Sequence, residues 1–191
     1  MNFKSILLGA ALAVSPVFGF ADSNIKMVVG TYTDAGSQGL YSFSFDQSTG
    51  KASGITSLKV DNPSYFTFSK DGRNIYAVSE KNNATAVLNS IGYDPVNGTF
   101  AFKNSQLTHG GDPCYVSTDG KIALTANYSG GTISVFPILK NGTLDKSLLQ
   151  LGSVKGGPNR SRQNTPHAHC AIFAPDEIGR ASCRERVCQY V

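Results

Sequence analysis

The chain has 191 residues, 17 lysines and arginines against 13 aspartates and glutamates, and a formal net charge of +4. Setting aside Ile178 to Val191, within the C-terminal stretch discussed below, removes three arginines and one glutamate and brings the charge to +2. That excess is too small to argue for a nucleic-acid or membrane-surface partner, both of which call for clustered positive charge.

In chain order, the first element is a leader. Residues 1–21 carry one lysine near the start, an apolar run from Ile6 to Val14, and small residues at Gly19 and Ala21. This is the pattern of a secretory signal peptide cleaved after Ala21, and it predicts an exported protein. The apolar run is too short to span a bilayer.

From Ile25 onward helical periodicity is almost absent. Short alternating or β-branched runs follow one another, such as KMVVGTYT, GLYSFSFD, SYFTFS, NIYAVSE, KIALTANYS and GTISVFPI. Each is bounded by Gly, Asn, Asp or Pro, so the chain reads as many short antiparallel strands. Asn97-Gly98 and Asn141-Gly142 read as hairpin turns.

The runs recur. Aromatic-bearing strands close in turns at Gly50, Gly98 and Gly142, spaced 48 and 44 residues apart. A second series of strands opens at Pro63, Pro113 and Pro166, spaced 50 and 53 apart. A period of about 40–50 residues with four short strands per unit marks the blades of a β-propeller. The second blade is predicted from Pro63 to His109, with strands at Tyr65–Ser69, Ile75–Ser79, Val87–Tyr93 and Phe100–Gln106. The first unit has three strands before Pro63 and no proline-led innermost strand. The fold class is therefore all-β, a propeller fragment of about three four-stranded antiparallel blades, with the Pro63, Pro113 and Pro166 strands nearest a common axis.

The last residues differ in kind. EIGRASCRERVCQYV, Glu177 to Val191, concentrates three arginines and two of the four cysteines. IGRASCRERV resembles the translation of a common sequencing adapter, so 177–191 is read as a non-native tail expected to pack on no core. The propeller part then spans 22–176 and keeps Cys114 and Cys170, which fall on opposite faces of equivalent strands and are not expected to form a disulfide.

With the repeats in place, VVGTYTDAGSQGLYSFSFD, NPSYFTFSKDGRNIYAVSE, DPCYVSTDGKIALTANYSGGTISVFPI and RQNTPHAHCAIFAPD together resemble the lactonase family of seven-bladed propellers, whose members are 6-phosphogluconolactonase-like. Asn127–Gly131 and the Arg-Gln…Pro-His-Ala-His run are the most specific pieces. The resemblance implies a pocket at one end of the central channel, lined by the starts of innermost strands, and a lactonase that hydrolyses a sugar lactone without a cofactor or metal. Seven blades of about 45 residues need roughly 315 residues, so about half of such a protein is here, and the fragment alone is expected to be inactive.

His167, His169 and Arg162 sit at one strand start and are the catalytic candidates. A histidine titrates near neutrality and can activate water, and an arginine fork can hold an oxyanion or a carboxylate. Residues i and i+2 of an extended segment point to one side, which would bring the two histidines together. No third ligand of matching type accompanies them, so no metal is assigned. Glu80, Asn127 and Asp112 are substrate-binding candidates, Glu80 because it ends a strand that could face the channel. His109, in a Gly-rich link, is read as structural or exposed. One departure stands out: many relatives carry a His-Pro-Cys-His pattern where this chain has Asp112 and Tyr115. The alternative function is an exported propeller that binds a small ligand or protein without chemistry. The whole protein is expected to be monomeric.

Overall fold

The computed structural model describes residues 24–152, 156–159, 161, 163–173, 180–184 and 187–190. The expected leader and Arg162 lie outside the described residues. Fourteen strands form four antiparallel sheets among those residues. The first is β1 (Asn24–Gly30), β2 (Gly39–Asp46) and β3 (Lys51–Lys59). The second is β4 (Phe66–Phe68), β5 (Asn74–Ser79), β6 (Val87–Asp94) and β7 (Thr99–Leu107). The third is β8 (Pro113–Thr118), β9 (Ile122–Asn127), β10 (Thr132–Pro137) and β11 (Leu149–Leu151). The fourth is β12 (Ala168–Phe173), β13 (Arg180–Arg184) and β14 (Val187–Tyr190).

Strands therefore follow one another up and down within each sheet, and the second sheet reproduces the predicted blade to within a residue or two at each strand. The first sheet has three strands, as the missing proline-led run required. Gly50, Gly98 and Gly142 all take positive φ, 70°, 69° and 82°, the left-handed backbone that glycine adopts at no steric cost and that closes these hairpins.

The cores lie between sheets. Ile75 and Ala77 of β5 pack toward the first sheet with Leu40, Val60 and Ile91. Tyr76 and Val78 of the same strand pack the other way, against Val116, Ala123 and Phe136. In β9 the same division holds: Ala123 faces the second sheet, while Leu124 and Ala126 face the fourth with Ala168 and Ala171. A strand buried on both faces loses polar alternation and reads as a continuous apolar run, which is what IYAV and IALTA are. Each sheet needs its neighbour to bury a face, the stacking rule of repeat proteins.

The proline-led strands occupy the same edge of their sheets and touch one another. The Tyr65 and Tyr115 rings lie 4.5 Å apart between the second and third sheets. Ser117 Oγ donates to Ala171 O at 2.6 Å between the third and fourth. Away from that edge, sheets are tied by polar bonds such as Asn104 Nδ2 to Leu144 O, 2.7 Å.

The third proline is a correction to the repeat. A bulge interrupts β8 between Pro113 and Tyr115, and the matching bulge in β12 lies between Ala168 and Cys170. The burial of Pro113–Val116 recurs at Ala168–Ala171. Ala168, not Pro166, thus holds the place of Pro113, a shift of two residues. Sequence spacing could not reveal it, because the loop ahead of Pro166 absorbs the extra length.

Of the tail, the structure describes backbone pairing alone, and the expectation that it packs on no core concerns side chains outside the described residues. The backbone of Arg180–Arg184 pairs with β12, and that of Val187–Tyr190 pairs with β13. An open sheet edge offers unpaired N–H and C=O groups to any chain within reach, so this pairing is indifferent to where the tail comes from.

Candidate functional site

The corrected repeat defines two recurring positions at one end of the sheets. The first lies just past the second strand of a complete blade, at Glu80 and Tyr128, and two residues past β1 in the three-stranded first sheet, at Tyr32. The backbone shows the equivalence, since Glu80 N donates to Asn62 O at 3.1 Å and Tyr128 N to Asp112 O at 2.8 Å. The second is the residue after the proline, or its equivalent, in the next blade: Ser64, Cys114 and His169. Each member of the first set lies beside the corresponding member of the second.

Between them sits a staple. Asn62 and Asp112, each ahead of its proline, have φ of 42° and 51°, left-handed values uncommon outside glycine. The strain is held by bonds across the blade boundary. Thr33 N donates to Asn62 Oδ1 at 3.0 Å, and Asp112 N donates to Lys81 O at 2.9 Å. The Asp112 carboxylate accepts from Ser129 Oγ, so this residue spends much of its capacity on the fold. His167 holds the same place in the fourth sheet.

At the boundary of the third and fourth sheets the two histidines meet. The His167 ring stacks on Tyr128 with centroids 4.3 Å apart and planes 18° from parallel. His169 meets the same ring edge-on, at 5.8 Å and 85°. The pair converges on one aromatic ring from its face and its edge. His167 Nδ1 lies 3.1 Å from Tyr128 O. A carbonyl oxygen only accepts, so Nδ1 carries the proton, and in the neutral ring the lone pair is on Nε2. Behind this contact, Gly131 has φ of +63°, and a Cβ there would fall 2.5 Å from Pro166 O. The Asn127–Gly131 turn is thereby packed directly against the segment that carries both histidines.

One blade earlier, Glu80 lies beside Cys114. Burial, then the Glu80 and Asp112 carboxylates, push the Cys114 thiol up to about 11. Cys114 Sγ is 3.7 Å from His169 O, which places Glu80, Cys114 and His169 on one arc. Cys114 and Cys170 are thiols and not a disulfide. At the first boundary, Tyr32 OH donates to Glu80 Oε2 at 3.0 Å. Burial and the Glu80 carboxylate raise the Tyr32 phenol, and the Ser64 hydroxyl beside it works in the opposite direction.

Other candidates fall elsewhere. Asn127 is fully buried and its amide is used inside the blade: Nδ2 donates to Ser134 Oγ at 2.8 Å and Thr132 Oγ1 at 3.0 Å, and Oδ1 accepts from Thr125 Oγ1 at 3.2 Å. His109 is exposed, with φ of 54° and its carbonyl accepting from Gln150. A cavity of about 380 Å³ lies between the first two sheets, lined by Lys59, Asp61, Ser79, Lys81, Asn89 and Phe102 among others. Ser79 and Lys81 point to the side opposite Glu80, so the cavity is separate from the arc. Among the described residues no group of three or more His, Cys, Asp or Glu could hold a metal ion, and no helix is long and apolar enough to cross a membrane. Sequence reasoning passed over Tyr32, Ser64 and Tyr128. Aligning GTYT with ANYS would have found the two tyrosines.

The family model described as "Lactonase, 7-bladed beta-propeller" matches residues 26–179. The 6-phosphogluconolactonase of Bacillus subtilis (strain 168) is 35% identical over 151 residues, which cover 78% of this chain and 43% of that protein. A crystal structure from Bacteroides fragilis NCTC 9343, provisionally named a 6-phosphogluconolactonase, superposes with TM-score 0.81 at 40% identity, over 85% of this chain and 46% of that one. The Pseudomonas aeruginosa periplasmic gluconolactonase gives TM-score 0.76 at 27% identity, over 84% of this chain and 47% of that one. This chain thus spans less than half the length of these relatives.

Proposed function

Because this chain belongs to the seven-bladed β-propeller lactonase family, we propose that the whole protein hydrolyses a sugar lactone outside the cytoplasm. The signal-peptide pattern of residues 1–21 supports export, and the periplasmic gluconolactonase is a relative in which export and lactone chemistry are named together. In this reading the propeller works as a monomer, and its step in carbohydrate metabolism is the opening of a cyclic sugar ester to the acid.

The observation that carries the reaction is the anchored His167. Its Nδ1–H is bound by Tyr128 O, which leaves Nε2 as a base directed away from the anchor. Nε2 takes a proton from water as the water oxygen attacks the lactone carbonyl. When the tetrahedral intermediate collapses, the ring C–O bond breaks and the imidazolium returns its proton to the departing alkoxide. The product is the open hydroxy acid, with no net proton left on the protein. Developing negative charge on the carbonyl oxygen needs a donor. Arg162, four residues ahead of Pro166, is assigned that role, and His169 the placement of the water.

The test is hydrolysis of glucono-δ-lactone and its 6-phosphate by the whole protein in the presence of a chelator. His167→Ala should lower kcat/KM by about a hundredfold, within the usual range for a general base. His169→Ala and Arg162→Ala should each lower it about tenfold, about 1.4 kcal/mol, and His109→Ala should leave it unchanged. Activity abolished by chelator would overturn the metal-free mechanism. No turnover of any sugar lactone alongside tight binding of one would move the protein to the non-catalytic ligand-binding class.

A further inference from the structure

We propose that Tyr32 and Glu80, joined across the first blade boundary, form a subsite that recognises the hydroxyls of an uncharged polyol ring and selects against a phosphorylated one. This rests on the lactone reading and deepens it, since it names the part of the substrate that the arc away from the histidines receives. Tyr32 is 55% exposed although its hydroxyl is bound, so in this chain aromatic surface is open to solvent beside the Tyr32–Glu80 bond. Sugar rings present C–H groups to such a face and hydroxyls around their rim.

The bonding pattern suits hydroxyl donors. Tyr32 gives its single proton to Glu80, so the phenol oxygen is left as an acceptor. The carboxylate has further lone pairs beyond the one Tyr32 uses. A substrate hydroxyl donating to Tyr32 would extend a chain ending on a charge, and each bond in such a chain strengthens the next. Ser64 Oγ is buried beside the same phenol, a third polar atom at this boundary.

The same arrangement opposes phosphate. The charged group of the pair is an anion, and the cation next in sequence is turned away: Lys81 is ion-paired with Asp61 at 2.8 Å, on the opposite side. A phosphate carries up to two negative charges at neutral pH, and here it would meet a carboxylate.

Two readouts on the whole protein test this separately from the enzyme reading. Binding of 1,5-anhydroglucitol and 1,5-anhydroglucitol 6-phosphate, ring polyols with no ester to hydrolyse, is measured by calorimetry, and hydrolysis of glucono-δ-lactone and its 6-phosphate by rate. The wild type should favour the uncharged member of each pair by at least tenfold. Glu80→Gln should shift that preference at least tenfold toward the phosphorylated member, and Tyr32→Phe should weaken 1,5-anhydroglucitol binding severalfold while sparing the fold. A wild-type preference for the phosphorylated compounds, or a Glu80→Gln variant with unaltered selectivity, would overturn the subsite. Selective 1,5-anhydroglucitol binding without turnover would sustain the subsite and defeat only the lactonase mechanism.

Discussion

The first and third blade boundaries present the same backbone plan and different chemistry. In both, an aromatic residue lies shortly past a strand of one blade and beside the strand start of the next. At the first boundary Tyr32 meets Ser64 and reaches Glu80. At the third, Tyr128 stacks on His167 and meets His169 edge-on. Glu80 occupies this position at the boundary between them. The staple positions differ too: Asn62 and Asp112 tie their boundaries through amide, carboxylate and backbone, and His167 does so through a ring nitrogen. Repetition supplies a row of equivalent places, and the side chain at each place decides whether it binds, titrates or only holds the blades together. Function here is a matter of substitution on a fixed lattice of positions.

The comparison can be broken most severely at Gly131. An alanine there requires left-handed backbone at φ +63° and places a Cβ 2.5 Å from Pro166 O. In the whole protein Gly131→Ala should lower lactone hydrolysis tenfold or more by displacing the His167 segment, with the far-ultraviolet circular dichroism unchanged. Gly72 also has positive φ, 69°, but open space around it, and Gly72→Ala should leave the rate as it was. Equal losses in both would mean that the Gly131–Pro166 contact does not set the histidines.

A second experiment addresses the pins beneath the mouths. In the third sheet the pin runs from Asn127 to Ser134, and in the second from Asn89 to Ser79 at 2.9 Å, so the amide has changed strands while the bond has stayed. Asn127→Ala and Asn89→Ala each remove a buried amide and leave its partners wanting. Each should cost about 1–3 kcal/mol, read as a lower urea midpoint. A variant with undiminished stability would show that its amide is not a structural pin.

The smallest effect concerns Cys114. Its thiol is pushed up to about 11 by burial and by the neighbouring carboxylates, so very little thiolate is present at pH 8 and alkylation by iodoacetamide should be at least tenfold slower than for an ordinary free thiol. Because the shift is upward, the rate should keep rising as pH climbs from 8 toward 11. Glu80→Gln should raise the rate at pH 8 modestly, since it removes one of the carboxylates and leaves burial in place. A rate already at its plateau by pH 9 would refute the raised thiol, and an unaltered rate in Glu80→Gln would refute the part played by the Glu80 carboxylate.

Much of this was legible in the residues. The strand runs, the turn glycines at 50, 98 and 142 and the blade period are local properties. Alternation, β-branching and positive-φ turn residues act within a few positions of themselves, so a linear reading recovers them. The paired histidines were legible for the same reason, being two residues apart. Asn127 was visible as a candidate, yet only its burial among Thr125, Thr132 and Ser134 shows what its amide does.

Other features were decided by the tertiary structure alone. Tyr32 and Glu80 are 48 residues apart, and Tyr128 and His167 are 39 apart; no local pattern couples them. The two-residue displacement of Pro166 from the repeat is invisible to spacing, since a loop of any length can precede a strand. What fixes that register is the bulge in β12 and the burial of Ala168 and Ala171 against β9. A sheet places its strands by which side chains fit the neighbouring face, and that fit exists only once the neighbouring blade is there.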